Sequence, residues 1–168
     1  MSLSMYQASI PVIIHGLTNL IAILKKGEAY ADAKKIEASV LINARLAPDM
    51  FPLSRQVQIA TDVVKGGAAR LASIEIPSYT DNESTFPELY ERINKTIAFL
   101  GTIKAAQIDG SEAKAISLKV GGNDLQFTGQ HYLLHFVLPN LFFHITATYA
   151  ILRHNGVDVG KKDYLGSL

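Results

Sequence analysis

Apolar residues recur at spacings of three and four along most of this chain, which is the period of an amphipathic α-helix. The first such segment runs from Ile10 to Leu24, and Lys25-Lys26-Gly27 supplies cations and a glycine that favour a helix end. Pro11 removes one backbone hydrogen bond, so this helix is predicted to begin at Ser9 or to kink there. A connector with short helical turns follows from Glu28 to Leu46.

Two further amphipathic helices are predicted in the middle of the chain. One spans Leu53 to Leu71, with Gly66-Gly67 at a position where missing side chains permit another helix to come close. After a loop from Ile74 to Ser84, Thr85-Phe86-Pro87-Glu88 has the spacing of a capping box, which predicts the start of the next helix. The inward residues of that helix are Leu89, Ile93, Ile97 and Leu100.

The period changes to two after the third helix. Apolar and polar residues alternate from Ile116 to Val120 and again from Leu125 to Phe127, on either side of Gly121-Gly122-Asn123-Asp124. This pattern predicts a β-hairpin.

A fourth helix is predicted from Gly129, with a break or fresh start at Pro139 and an end at Asn155-Gly156. Four apolar stripes can be buried only against one another. The sequence therefore predicts an all-α fold, a four-helix bundle with a small β-hairpin inserted before the last helix, as a single domain over residues 1–168.

Composition narrows the possible partners and the compartment. The charged share of 18% is low for a fully solvated monomer, which favours a homodimer. The net charge is +1 and no long run of like charge occurs, so a nucleic-acid partner is not expected. The first apolar segment has no basic residues before it and is interrupted by Pro11, His15 and Gly16, so we expect neither a signal peptide nor a membrane span, and a cytoplasmic protein.

His144 is the main candidate for chemistry, because it lies in the strongly apolar stretch from Pro139 to Gly156. A histidine in such a helix is either a hydrogen-bonded core residue or a member of a buried site. The chain has no cysteine, so every ligand of a metal ion would be His, Asp, Glu or a neutral oxygen.

Three runs of sequence resemble a known family. They are PDMFPLSRQVQIATD at Pro48 to Asp62, STFPELYERINKTIAFL at Ser84 to Leu100, and PNLFFHITATYAILRHNGVDVGKKDYLG from Pro139. Together they are similar to an uncharacterised bacterial and fungal family within the DinB/YfiT-like superfamily, and the likeness covers nearly the whole chain. It implies a four-helix bundle of DinB/YfiT-like type.

The resemblance also implies where a metal ion would bind. In the superfamily one histidine from the second helix and a His-x-x-x-His pair from the fourth helix hold a divalent ion. His144, with Arg153 and Gly156 after it, fits the second histidine of the pair, whereas Asn140 stands at the first position and Gln58 at the second-helix position. The chain thus keeps one imidazole of three.

Two interpretations of this region remain open. Asp62 lies one turn after Gln58, and its carboxylate would join His144 in a sparse site for zinc or nickel. Alternatively, Gln58, Asp62, Asn140 and His144 form a hydrogen-bonded polar cluster in the core of the bundle, because buried polar groups require partners.

Other histidines offer weaker candidates. His131 and His135 have the His-x-x-x-His spacing and would hold an ion or lie on a solvated or subunit-facing surface. His154 is about 15 Å from His144 along a straight helix, so the two cannot share an ion. His15 is expected to be a satisfied histidine of the core or its edge.

Two functional hypotheses follow. The first is a bundle whose pocket near His144 binds an unidentified small molecule, with or without a divalent metal, for hydrolase or thiol-transferase chemistry with His144 as anchoring ligand or general base. The alternative is a non-catalytic, homodimeric binding or stress-related bundle without metal. The sequence has none of the common hydrolase and nucleotide-binding motifs, so no motif supports the enzymatic hypothesis.

Overall fold

The computed structural model describes residues 3–167 and has four long helices around one hydrophobic core. The helices of the bundle are α1 (Met5–Lys34), α3 (Leu53–Ala72), α4 (Phe86–Thr102) and α7 (Leu138–His154). α3 packs between α4 and α7, and α1 closes the other side against the same two helices. The predicted four-helix bundle is confirmed.

Short elements connect the long helices. They are α2 (Ala38–Ile42), α5 (Ala105–Ile108), α6 (Gly129–Tyr132), a π-helical turn (Leu133–Val137) and α8 (Lys161–Leu165). The predicted hairpin is formed by the antiparallel strands β1 (Ala115–Val120) and β2 (Asn123–Thr128), and Ile116 pairs with Phe127. Gly121 and Gly122 join the strands with φ of 55° and 85°, which only glycine adopts readily at two adjacent positions.

The predicted start of the first helix at Ser9 and its predicted end at Gly27 were wrong, and Pro11 lies inside the helix. α1 begins after Ser4, whose hydroxyl accepts a hydrogen bond from the Gln7 amide, while Ser9 lies inside the helix and donates to the Met5 carbonyl at 2.7 Å. The helix also continues beyond Gly27. Gly27 is buried, and a Cβ there would lie 2.9 Å from a methyl group of Leu152. It therefore permits two helices to approach closely and does not end the helix.

Two other predictions from the sequence are confirmed. Thr85 and Glu88 form the capping box of α4, with the Thr85 amide 2.9 Å from the Glu88 carboxylate. The close helix approach predicted for Gly66-Gly67 is confirmed at Gly67, since a Cβ there would lie 2.7 Å from Val137 of the last helical segment. A Cβ at Gly66 would instead meet the guanidinium of Arg70 in the same helix.

Two helical stretches, Met5–Lys34 and Gly129–His154, are long and apolar enough to cross a membrane, with mean hydropathies of 1.6 and 1.2. In this fold both stretches contribute their apolar faces to the core of the bundle. The expectation of a cytoplasmic protein without a membrane span stays a prediction.

Candidate functional site

His144 lies on the inner side of α7, with 8% of its surface exposed. Its Nδ1 is 2.7 Å from Oε1 of Gln56 on α3. The Gln56 amide nitrogen donates to the Phe51 carbonyl at 3.0 Å, which assigns the amide oxygen to the side facing the imidazole. Nδ1 of His144 is therefore the protonated nitrogen and donates to Gln56.

The other ring nitrogen of His144, Nε2, has no hydrogen-bond partner among residues 3–167. Within that range, the fully buried side-chain nitrogen and oxygen atoms without a partner belong to Tyr79 and Ser111, so Nε2 reaches the surface. Burial, and after it the positive charge of Arg55, lowers the pKa of His144. The ring is therefore neutral at pH 7, and Nε2 offers a lone pair to a hydrogen-bond donor.

An apolar groove of about 370 Å³ lies beside His144, between α7 and the loop before α3, and its lining includes the neighbouring Phe143 but not His144 itself. Phe143 meets the imidazole edge-on, with ring centroids 5.2 Å apart. The opposite wall includes Met50, which precedes the Phe51 carbonyl that Gln56 holds. The main lining residues are Leu46, Met50, Pro139, Phe142, Phe143 and Ala147.

Gln58 faces a different set of side chains. Its Oε1 accepts a hydrogen bond from Arg55 at 3.1 Å, and its Nε2 donates to Glu83 at 2.9 Å. Arg55 also forms an ion pair with Asp81. The charge of Arg55 also acts on His144. Gln58 therefore contacts the arginine that affects the imidazole, but it forms no hydrogen bond with the imidazole itself.

Asp62 forms ion pairs with two cationic side chains. Its Oδ1 lies 3.0 Å from Lys65 Nζ and 2.8 Å from Arg92 Nη2. Both cations are almost fully buried, with 6% and 2% of their side chains exposed. The carboxylate of Asp62 therefore balances buried positive charge between α3 and α4.

The Asn140 side chain forms a hydrogen bond with the backbone of its own helical segment. Its side-chain nitrogen donates to the Phe136 carbonyl at 2.6 Å. Pro139 has no N–H, and its ring would clash with the carbonyl four residues earlier, so the backbone there widens into the π-helical turn. The Asn140 amide satisfies one of the carbonyls at this irregular point.

The prediction that Gln58, Asp62, Asn140 and His144 form one hydrogen-bonded cluster is therefore wrong, because each of the four side chains bonds to other residues. Gln56 and Gln58 lie about 160° apart around α3, on nearly opposite faces. The rotation of the helix directs Gln56 towards α7 and Gln58 towards the loop before α4. The roles of the four residues in ligand binding, and of His144 and Asp62 in metal binding, stay predictions.

Arg92 is the centre of the polar network that the sequence reasoning missed. Its Nε donates to the Thr61 hydroxyl at 2.7 Å, and its two terminal nitrogens pair with Asp62 and Asp81 and, at 2.8 Å, with Glu83. It therefore joins α4 to α3 and to the loop before α4. A signal for this role exists in the sequence, because Arg92 adjoins the apolar stripe of its helix and precedes Ile93.

The remaining histidines lie outside this region. The exposed His131 and His135 have ring centroids 4.4 Å apart. His15 is 2.7 Å from the Leu165 carbonyl, where the C-terminal helix α8 docks on α1. His154 is exposed at the end of α7. Across residues 3–167, no three or more His, Asp or Glu side chains are grouped as ligands of one ion.

Comparison with known proteins identifies the family and the fold. A family model described as "Domain of unknown function (DUF1993)" matches residues 5–165. A DinB family member protein from Shewanella denitrificans, with a crystal structure at 1.83 Å resolution, is 43% identical and has a TM-score of 0.87. The match covers 97% of this chain and 92% of that chain. No curated protein matches the sequence. The predicted DinB-like bundle with an inserted hairpin is confirmed.

Proposed function

This chain belongs to the DUF1993 family, and from its geometry we propose that it binds a small, mainly apolar molecule through Nε2 of His144 without a resident metal ion. The observation that carries the proposal is the hydrogen bond from His144 Nδ1 to Gln56. It fixes the ring, leaves Nε2 as an acceptor, and holds the loop that forms one wall of the groove. A ligand that fits has an apolar or aromatic body and one O–H, S–H or N–H donor.

The residues present do not fit a divalent ion of the superfamily type. The hydrogen bond to Gln56 leaves Nε2 of His144 free to ligate, as in most metal-bound histidines, but Gln58 and Asn140 stand where the resemblance implies the other two imidazoles. The carboxylate of Asp62 is bound by Lys65 and Arg92, which an ion would have to displace. In other members of the superfamily the bound metal would act as a Lewis acid that activates water or a thiol. This chain lacks the three imidazoles that hold such a metal.

Binding is favoured over acid–base catalysis by the surroundings of the imidazole. A histidine that acts as a general base becomes an imidazolium when it takes a proton, and in the Ser-His-Asp arrangement an acidic partner stabilises this charge. The partner here is the neutral amide of Gln56, and the charge of Arg55 acts against the imidazolium. Hydrolase or thiol-transferase chemistry at His144 would require the ligand to supply the missing negative charge.

Phenol and toluene test the proposed binding mode, because they share an aromatic body and only phenol has a hydrogen-bond donor. We expect phenol to bind in the groove more tightly than toluene, as measured by NMR shifts of Phe143 and the His144 ring. His144→Asn is the matched variant, since its amide nitrogen still donates to Gln56 while Nε2 is lost. In this variant the preference for phenol should disappear. Equal binding of phenol and toluene to the unmodified protein would refute the proposal.

Metal content measured on the same tag-free preparations tests the other half of the proposal. Both proteins are dialysed against zinc and then against nickel. We expect the unmodified protein and His144→Asn to contain the same amount of metal. A stoichiometric ion that this substitution removes would establish the metal site of His144 and Asp62 instead.

The second candidate is the homodimeric bundle, in which a second copy covers the groove. Its support is the exposure of large apolar side chains along the groove, where 57% of Phe143 and 40% of Leu46 are accessible. Sedimentation velocity distinguishes the two candidates. A dimer that Phe143→Ser dissociates would favour the interface, and a monomer would leave the groove available to a small molecule.

A further inference from the structure

His131 and His135 form a close pair on the exposed side of the last helical segment. Their ring centroids are 4.4 Å apart and their planes are tilted by 39°. Two imidazoles that bind one ion, each through a nitrogen about 2.0 Å from the metal, place their ring centres about 4.5 Å apart at a 90° ligand angle and about 5 Å apart at a tetrahedral angle. The observed separation of the ring centres is close to this range.

The local winding of the helix explains this alignment. In a regular α-helix a residue four positions on is rotated by about 40° from the first. Here the turn from Leu133 to Val137 is π-helical, and the Leu138 amide donates to the Leu133 carbonyl five residues back. A wider turn rotates less per residue, so His135 lies more directly above His131. Pro139 favours this wider turn, which in turn aligns His131 with His135.

The hairpin supports one of the two rings. Phe127 of β2 lies 5.6 Å from the His131 ring and at the same distance from the rings of Tyr132 and Phe136. Its packing restricts the rotation of His131, which reduces the entropy lost when the ring ligates an ion. The His135 ring lies against the supported ring, with the two planes tilted by 39°.

We propose that His131 and His135 bind one divalent transition-metal ion, with water completing its coordination. Neutral imidazole favours Cu²⁺, Ni²⁺ and Zn²⁺, and the general order of affinities places Cu²⁺ first. His135, the nearer member of the pair, lies about 13 Å along the helix from His144, so this ion is separate from any ligand of the groove. With two protein ligands, the site exchanges its ion with solvent more readily than a closed structural site would.

Titration of the tag-free protein with Cu²⁺, followed by calorimetry and electron paramagnetic resonance, tests the site. We expect one equivalent to bind with a spectrum that shows two nitrogen ligands. His131→Gln and His135→Gln should each weaken binding by about tenfold or more, since a single imidazole remains. His154→Gln and His144→Asn are matched controls that should leave the affinity unchanged.

A position swap tests the geometry itself. His131 and Leu134 are both exposed, so the double substitution His131→Leu with Leu134→His keeps the composition and places the two histidines at adjacent positions, whose side chains do not face each other. We expect this variant to lose the two-nitrogen spectrum while its circular dichroism and melting temperature stay the same. Retained affinity in the swap, or in His135→Gln, would overturn the proposal, as would the absence of binding at millimolar Cu²⁺.

Discussion

At the residue scale, the environment of His144 makes the stability of the protein depend on pH. Burial, reinforced by Arg55, lowers the pKa of the folded imidazole below its ordinary value of about 6.5. Below that pH the unfolded chain takes up a proton that the folded protein resists. The stabilising contribution of the neutral ring is therefore complete above about pH 6.5 and is lost as the pH falls towards the lower folded pKa.

We therefore expect the free energy of unfolding to fall less between pH 7.5 and pH 5 in His144→Asn than in the unmodified protein. Asn cannot titrate, yet it keeps a donor for Gln56. Urea unfolding at a series of pH values measures the two slopes, and His154→Asn controls for the loss of an exposed histidine. Equal slopes in His144→Asn and the unmodified protein would contradict the assigned pKa shift.

The partner of His144 shows what sequence reasoning missed at this scale. Gln56 and Gln58 are both buried in the fold, at 1% and 6% exposure, so the apolar period of α3 does not separate them. The choice depends on the rotation of α3 against α7, which spacing alone does not define. Gln56 does lie three residues after Leu53 and four before Ala60, on the same apolar stripe, and this was the available signal.

At the scale of elements, glycines determine how closely the last helical segment approaches its neighbours. A Cβ at Gly67 of α3 would lie 2.7 Å and 2.8 Å from the two methyl groups of Val137, which is stiff and short. Alanine gains about 1 kcal/mol of helix propensity over glycine, whereas overpacking costs about 1–3 kcal/mol. The steric cost therefore outweighs the gain.

Gly67→Ala should accordingly lower the free energy of unfolding by about 1 kcal/mol, measured by urea denaturation. Adding Val137→Ala to it should recover part of the steric cost when compared with Val137→Ala alone. Gly101→Ala is the matched control, because a Cβ at Gly101 of α4 meets nothing within 4 Å. That control should be neutral or slightly stabilising, and a loss at Gly101 as large as that at Gly67 would contradict the steric explanation.

Element boundaries were predictable where local chemistry decides them and unpredictable where packing does. The capping box at Thr85 and the paired glycines of the hairpin turn fix their elements locally. Gly27 was interpreted as a helix end because glycine commonly has that role. Its actual role is close contact with Leu152, which only the three-dimensional packing of α1 on α7 reveals.

At the scale of the whole molecule, Arg92 connects α3, α4 and the loop between them. Its side chain is 2% exposed, and that of its partner Glu83 is 10% exposed. Removing one member of a buried ion network leaves uncompensated charge, which costs about 3–5 kcal/mol. Arg92→Met keeps the length of the side chain and removes the charge.

We expect Arg92→Met to lower the free energy of unfolding by about 3 kcal/mol, measured by urea denaturation, and to expose the loop before α4 to proteolysis. Lys119→Met is the control, since its pair with Asp124 in the hairpin is 3.6 Å long and largely exposed, at 66% and 79%. Such a surface pair contributes less than about 1 kcal/mol. Similar effects of the two substitutions would show that the Arg92 network does not hold the loop.

The hairpin also offers a way to observe the molecule in solution. The chain contains no cysteine, so a thiol introduced at Asp124, which is exposed beside the glycine turn, would be unique and open to a fluorescent label. Phe127 joins the same strand to the aromatic rings around His131. A dye at Asp124 would therefore sense rearrangement of that aromatic contact, and quenching by an added metal could be followed one molecule at a time.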